Sequence, residues 1–398
     1  MTDPHSLLSA AAVRERCGVV AQWVADGRSP HFTWHPERLA DTAAYVIETT
    51  RERYPDPAAV PFHSRWRHFE AGGVDRWGPL AAPVGDAAER ARTAIDLVIP
   101  SVLLDAGAGA DWRFADATSG QIHARSEGLG VASLRWFETG AWAADGHTLR
   151  TDASALQAVQ PSDLDAAFQV RDGNPLVGTE GRIALLRRLG AAIAAQPGVF
   201  GNEGRLGRLF DHLHGQAVGG ALPAATLLGT LLQVLGRVWP GRAELDGVPL
   251  GDCWQHPALA DRWVPFHKLT QWLAYSLLEP LADGGLRVTG LDALTGLPEY
   301  RNGGLLLDLG LLRPRAATFA ATPWQVHDEP IVEWRAVTVI ALDHIAAEVR
   351  RQLGPTAAQL PLACVLEGGT WAAGRRIAAQ RRPGGAPPLT LQSDGTVF

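Results

Sequence analysis

The sequence predicts a mainly α protein, a single large helical domain with few short strands. Three observations carry that expectation. Apolar residues recur at spacings of three and four in several long segments, strict apolar–polar alternation is scarce, and no low-complexity linker splits the chain. The 398 residues, 46% hydrophobic and 20% charged, suffice for a large core and exclude wholesale disorder.

The elements follow in chain order. A helix is expected within 37–53, ending before Pro55. In 181–195, Ile183, Leu186, Leu189 and Ile193 fall on one face, while Arg182, Arg187 and Arg188 take the other. Residues 223–238 are apolar nearly all round, as a buried helix is. Pro265 suits the first position of a helix over 265–278, where a missing amide costs nothing. Near the C-terminus Trp334, Val337, Ala341, Ile345 and Val349 form one stripe. Brief strands are expected at 286–289 and 389–392.

Composition narrows the function. Lys plus Arg is 36 and Asp plus Glu is 42, so the net charge of −6 gives no long-range attraction to nucleic acid or anionic membrane. No segment approaches the roughly 20 apolar residues of a membrane span. The opening MTDPHSLLSA has neither a basic region nor an apolar one, so no signal peptide is expected. Cys17, Cys253 and Cys364 are odd in number and far apart, which points to a reducing compartment. The expectation is a cytoplasmic protein with a small-molecule partner.

Of the 36 basic side chains, 35 are Arg and one, Lys268, is Lys. A chain that writes nearly every positive charge as Arg keeps Lys where a compact, deprotonatable ammonium matters, or keeps it by chance. On a helix over 265–278, Lys268, Gln271 and Tyr275 share a face beside Trp272, so polar groups project from a greasy helix. His267 stands next to Lys268. Further on, Glu299, Tyr300 and Arg301 precede the pair Gly303-Gly304. The carboxylate and guanidinium either line a pocket or cap the next helix, and the glycines allow backbone close to a ligand or a left-handed turn.

Other motifs are weaker. Cys253 and His256 have C-x-x-H spacing but no second close pair, so no metal is expected. The Walker, Rossmann, G-x-S-x-G and H-E-x-x-H patterns are absent, and DAGAG at 105–109 follows no clear strand, so no cofactor is expected. Trp112 and Trp272 are candidates to stack on a flat ring. Glu367-Gly368-Gly369-Thr370, with Arg375 and Arg376 following, either faces a phosphate or forms an ordinary N-cap at Thr370.

ARSEGLGVAS, NPLVGTEGR, GDCWQHP, VPFHKLTQWLAYSLLEP, LTGLPEYRNGGLLLD, VLEGGTWAAGRR and SDGTVF resemble the uracil-catabolism protein four family, long catalogued as a domain of unknown function. The resemblance runs from about residue 30 onward. Residues 1–30 are then an N-terminal helical extension, and 31–398 a family-wide helical domain with a central pocket. The resemblance implies a role in uracil degradation through ribosylurea-like intermediates.

A second resemblance is to the queuosine-salvage proteins, queuosine 5′-phosphate N-glycosidases related in fold to helical DNA glycosylases. Their helix F-x-K-R-A-Q-I-L is similar to Phe266–Leu273, and their loop D-Y-R-x-P-Q to Glu299-Tyr300-Arg301. Glu replaces Asp, and Asn302-Gly303-Gly304 replaces part of the base pocket, which implies a leaving group other than queuine.

These resemblances imply hydrolysis of an N-ribosidic bond in a uracil-derived nucleotide or ureido-ribose. Glu299 would stabilise the oxocarbenium-like state and handle water, with Lys268 holding it ionised. Arg301, Tyr300, Gln271, His267, Trp272 and Trp112 would bind substrate, and the family pattern adds Arg125 and Glu127. The alternatives are an amide or ureido hydrolase using His267 or Cys253/His256, and a non-catalytic pathway scaffold.

Overall fold

The computed structural model describes residues 2–105, 107–239 and 243–392; Ala106 of DAGAG and the terminal SDGTVF lie outside the described residues. Helices dominate. Ten of them have ten residues or more: α1 (Ala10–Ala25), α2 (Leu39–Arg53), α3 (Ala87–Leu103), α4 (Arg125–Glu138), α5 (Thr179–Ala194), α6 (Ala224–Leu235), α7 (Lys268–Asp283), α8 (Tyr300–Leu309), α9 (Glu329–Leu353) and α10 (Trp371–Arg381). Among the described residues the strands have two or three residues and pair only in twos. The chain is mainly α, as the periodicity predicts.

Two compact units arise. Among the described residues the first comprises 2–63, 243–272 and 290–392, and the second 64–105, 107–239 and 273–289. In the first unit α1 packs along α9, and Val13, Cys17 and Val20 meet Val332, Ala336 and Val339 in one apolar layer that Val264 and Phe266 complete. The α9 stripe is buried at all five expected positions, from Trp334 to Val349. α8 packs on α10 and α9, and α2 packs on α9. Strand Phe32–Trp34 pairs antiparallel with Leu312–Pro314, and Pro323–Gln325 parallel with Thr390–Gln392.

The second unit gathers α3, α4, α5 and α6, with strand Ala221–Pro223 pairing parallel with Arg287–Thr289. Here one expectation needs correcting. Arg182, assigned to the polar face of α5, is 1% exposed. Its guanidinium donates to the carbonyls of Leu104, Gly107 and Val177, so it closes the loop before α5 instead of facing water.

The start of α7 also differs. Pro265 ends the strand Trp263–Pro265, and the helix begins at Lys268. Two local causes account for this. His267 adopts a left-handed φ of 49°, which interrupts helical geometry, and the Asp252 carboxylate accepts the Lys268 amide at 3.1 Å.

Candidate active site

A buried ion pair builds the frame. Asp252 meets Arg335 through two hydrogen bonds of 2.8 and 2.7 Å, with the Arg335 side chain fully enclosed. The same carboxylate accepts the Trp254 indole N–H at 2.7 Å and the Lys268 amide, while the Asp252 carbonyl accepts the Phe266 amide at 2.8 Å. Arg335 lies 4.0 Å over the Phe266 ring, and its Nε donates to the Pro298 carbonyl at 3.4 Å. One pair thus fixes both the first residue of α7 and the residue before Glu299.

Glu299 caps α8. Its Oε2 accepts the Arg301 amide at 2.7 Å and its Oε1 the Asn302 amide at 2.6 Å, satisfying two donors that a helix start leaves open. Burial pushes the Glu299 carboxyl above the usual glutamate range. The Lys268 ammonium, the two capping amides and the Arg301 guanidinium act the other way. Lys268 is half-buried and is the strongest single influence holding Glu299 ionised. The Lys268 charge thus acts on Glu299, whose carboxylate caps α8 in a poorly solvated place. Each oxygen keeps a second lone pair for a further partner.

Gln271, one turn into α7, is fully buried. Its amide donates to the Thr295 hydroxyl and to the Phe266 carbonyl (3.3 Å), and its oxygen accepts the Thr295 amide at 2.8 Å. Asn302 donates to the Leu297 carbonyl at 3.0 Å. These bonds hold 295–299 against the start of α7, so Gln271 positions the segment that carries Glu299.

The other residues expected at the site separate by location. Tyr300 is half-buried under the Arg301 guanidinium, 4.9 Å from its ring, and Arg301 also donates to the Gly385 carbonyl at 2.8 Å. His267 is buried with Nε2 bonded to the Leu7 carbonyl at 2.9 Å, and burial pushes its imidazole below the usual range. Trp272 is buried, its ring 6.4 Å from that of His63. All of these belong to the first unit.

Trp112, Arg125 and Glu127 belong to the second. Trp112 is fully enclosed, bonded to the Phe168 carbonyl and packed on Phe114 and Phe168; its place is core, and no face of it is exposed for stacking. Arg125 is exposed at the start of α4, and Glu127 is half-buried one turn in.

The glycine pair has a different purpose from the one expected. Gly303 and Gly304 lie inside α8, not in a left-handed turn or against open space. A Cβ on Gly303 would lie 2.3 Å from the Trp334 ring, and one on Gly304 would lie 3.0 Å from Pro388. They let α8 approach its neighbours. Gly374 of α10 does the same, its Cβ position being 2.1 Å from the Arg301 carbonyl oxygen.

Cys253 and His256 face separate surroundings. Cys253 packs with Leu7 and Leu250, and burial pushes its thiol up. His256 accepts the Ala258 amide at Nδ1, and its Nε2 meets Glu333 at 3.2 Å. Among the described residues no group of three or more His, Cys, Asp and Glu side chains is arranged to hold a metal.

The EGGT segment is a π-helical turn, Leu366–Thr370, and Thr370 makes no side-chain cap to α10. Arg376 pairs with Glu48 at 2.8 Å, and Arg375 lies over the Trp371 ring.

Asp252, Arg335 and His63 escape a sequence reading. Their partners are 83 and more than 300 residues away, beyond any local pattern. The one available signal is Arg335 itself: a charge inside the apolar stripe of α9 needs a buried partner.

These features define a mainly helical protein with a buried, helix-capping glutamate that feels the charge of its one lysine. The chain belongs to the family described as protein of unknown function (DUF1688), which matches residues 6–398. It is similar to Protein urg3 of Schizosaccharomyces pombe, 39% identical over 98% of each chain. It is likewise similar to Uracil catabolism protein 4 of Lachancea kluyveri, 37% identical over 98% of each.

Proposed function

We propose that this protein acts in uracil catabolism and there hydrolyses the N-ribosidic bond of a uracil-derived nucleotide or a ribosylurea-like compound. The names of its relatives support the pathway. The observation that carries the reaction is Glu299: a buried carboxylate that caps α8, raised by burial, with Lys268 the foremost influence favouring its charged form.

The chemistry follows from that placement. As the C1′–N bond lengthens, positive charge builds on the ribose, and a fixed carboxylate in a poorly solvated site stabilises it more than it stabilises the neutral ground state. The raised carboxyl is also a stronger base than a surface glutamate, suited to take a proton from the attacking water. The water oxygen bonds to C1′, its proton goes to Glu299, and the bonding pair leaves with nitrogen. Lys268 favours the ionised form of Glu299 and offers its ammonium to a ribose hydroxyl. Tyr300 and Arg301 flank the carboxylate, while Gln271 sets its loop.

The amide-hydrolase alternative draws less support. Cys253 is buried with its thiol pushed up, the opposite of an activated thiolate, and His256 is occupied on both nitrogens. The test offers UMP, uridine and ribosylurea to the protein and follows ribose or ribose phosphate against ammonia. Ribose release that Glu299→Gln abolishes supports the reading. Ammonia without ribose overturns it.

A further inference from the structure

A second set of ionisable side chains lies in the same unit and has no part in the scheme above. His63 Nδ1 meets Glu367 Oε2 at 2.8 Å, and the two side chains are 8% and 5% exposed. The other Glu367 oxygen accepts from Arg53 at 3.1 Å and from the Tyr54 hydroxyl at 3.5 Å, and Arg53 also donates to the Glu367 carbonyl at 2.8 Å. Glu367 thus has its charge balanced by Arg53 without any help from His63. It is His63 that depends on Glu367: an ionised carboxylate only accepts, so the bond puts a proton on Nδ1 and fixes the ring's orientation.

The backbone around this pair is built for it. Glu367 sits in the π-helical turn Leu366–Thr370, an irregularity that occurs often at functional sites. Gly368 and Gly369 let the turn press on Val60 and on α2: Cβ atoms there would lie 2.8 Å from Val60 and 2.4 Å from Val46. The His63 amide donates to the Ala363 carbonyl at 2.9 Å, anchoring the imidazole to the segment that leads into the turn.

The dyad is tied to both sides of the Lys268–Glu299 site. The His63 ring lies 6.4 Å from Trp272 and 5.8 Å from Trp371. Trp272 follows Lys268 by four residues on one face of α7. Trp371 precedes Gly374 by three residues on α10, and Gly374 touches the backbone of Arg301, two residues past Glu299. So His63 contacts one indole from the lysine's helix and one from the helix that packs on the glutamate's.

We infer that His63 is the acid that protonates the departing nitrogen, with Glu367 as its positioning residue and the flanking indoles as the seat for a planar ureide or pyrimidine leaving group. This rests on the N-ribosidic reading. The imidazolium gives its Nε2 proton to the leaving nitrogen as that atom takes the C1′–N electron pair. The proton that water passes to Glu299 returns through solvent to restore the imidazolium. A ureide anion is a poor leaving group, so the reading above lacks an acid unless one is supplied, and Lys268 is committed to keeping Glu299 charged.

The test compares ribosylurea with 4-nitrophenyl β-ribofuranoside, whose phenolate leaves without a proton. His63→Gln is expected to lower kcat on ribosylurea by about 10²–10⁴-fold and on the nitrophenyl riboside by less than about tenfold. Glu367→Gln should follow the same split more weakly, and Glu299→Gln should lose both substrates. In the unaltered protein, rates across ribosides of graded leaving-group basicity should be nearly flat. Equal losses on both substrates for His63→Gln, no loss on either, or a steep dependence on leaving-group basicity overturns the role of His63 while leaving that of Glu299 intact. If the unaltered protein cleaves neither riboside, the N-ribosidic reading falls first and this assignment falls with it.

Discussion

The Asp252 carboxylate binds the Arg335 guanidinium through both oxygens and also accepts the amide of Lys268. A charge pair buried inside the helical core thereby sets where α7 begins. Removing one member leaves the other buried without its counter-charge. Arg335→Leu is expected to cost about 3–5 kcal/mol in urea denaturation and to abolish activity. A loss near zero would mean the pair does not organise the site.

Close approach of α10 to α8 depends on a missing side chain. Gly374→Ala places a methyl group where the Arg301 carbonyl oxygen stands 2.1 Å away, and backbone cannot turn aside as a side chain can. The expected cost is about 1–3 kcal/mol, together with a fall in kcat as the α8 start shifts. Gly229→Ala on α6, with nothing within 4 Å, is the control and should stabilise by up to about 1 kcal/mol. Thermal unfolding and turnover of the two variants check both statements.

The pH dependence has a definite sign. The proposed reaction needs Glu299 ionised, and burial raises its carboxyl, so kcat/KM should fall on acidification at a pH above the ordinary glutamate range of about 4.3. Lys268 is the foremost opposing influence, so Lys268→Gln should move that acid limb further upward. Stability follows the same linkage. A carboxyl whose folded pKa lies above its unfolded one favours folding fully below the unfolded value, and that contribution is lost as pH rises through the folded value. Lys268→Gln should therefore destabilise more at about pH 8 than at about pH 4. Urea midpoints at the two pH values provide the check; a larger loss in acid would reverse the assignment.

Much of this architecture is legible in the chain. The α9 stripe from Trp334 to Val349 follows from period, and the structure adds burial on every side over 330–339. Lys268 stands out because it is the lone lysine, and the motif resemblance pairs it with Glu299, 31 residues on. What composition and periodicity hide is charge turned inward. Arg182 reads as solvent-facing yet serves three carbonyls, and Arg335 reads as a break in an apolar run yet binds Asp252. Pro265 reads as a helix start, but a capping carboxylate from 16 residues earlier moves the start to Lys268. Gly303 and Gly304 read as backbone close to a ligand or as a left-handed turn, whereas the reason for them is the Trp334 ring and Pro388 on other segments. In each case a long-range partner decides, and local sequence does not contain it.

Substitution can separate the cap that Glu299 makes on α8 from the catalytic role proposed for it. Glu299→Gln keeps an oxygen to cap α8 but lacks the charge. Its stability loss should not exceed about 2 kcal/mol, while turnover vanishes and binding of ribosylurea, followed by tryptophan fluorescence, is largely kept. Unfolding at ambient temperature would show that the cap alone explains the residue.

The most direct measurement is to run the reaction with ribosylurea in H₂¹⁸O and locate the label. Attack at the sugar carbon predicts ¹⁸O on C1 of the released ribose, with urea unlabelled and no ammonia formed. Label entering the carbonyl product instead, accompanied by ammonia, would contradict the account at its centre.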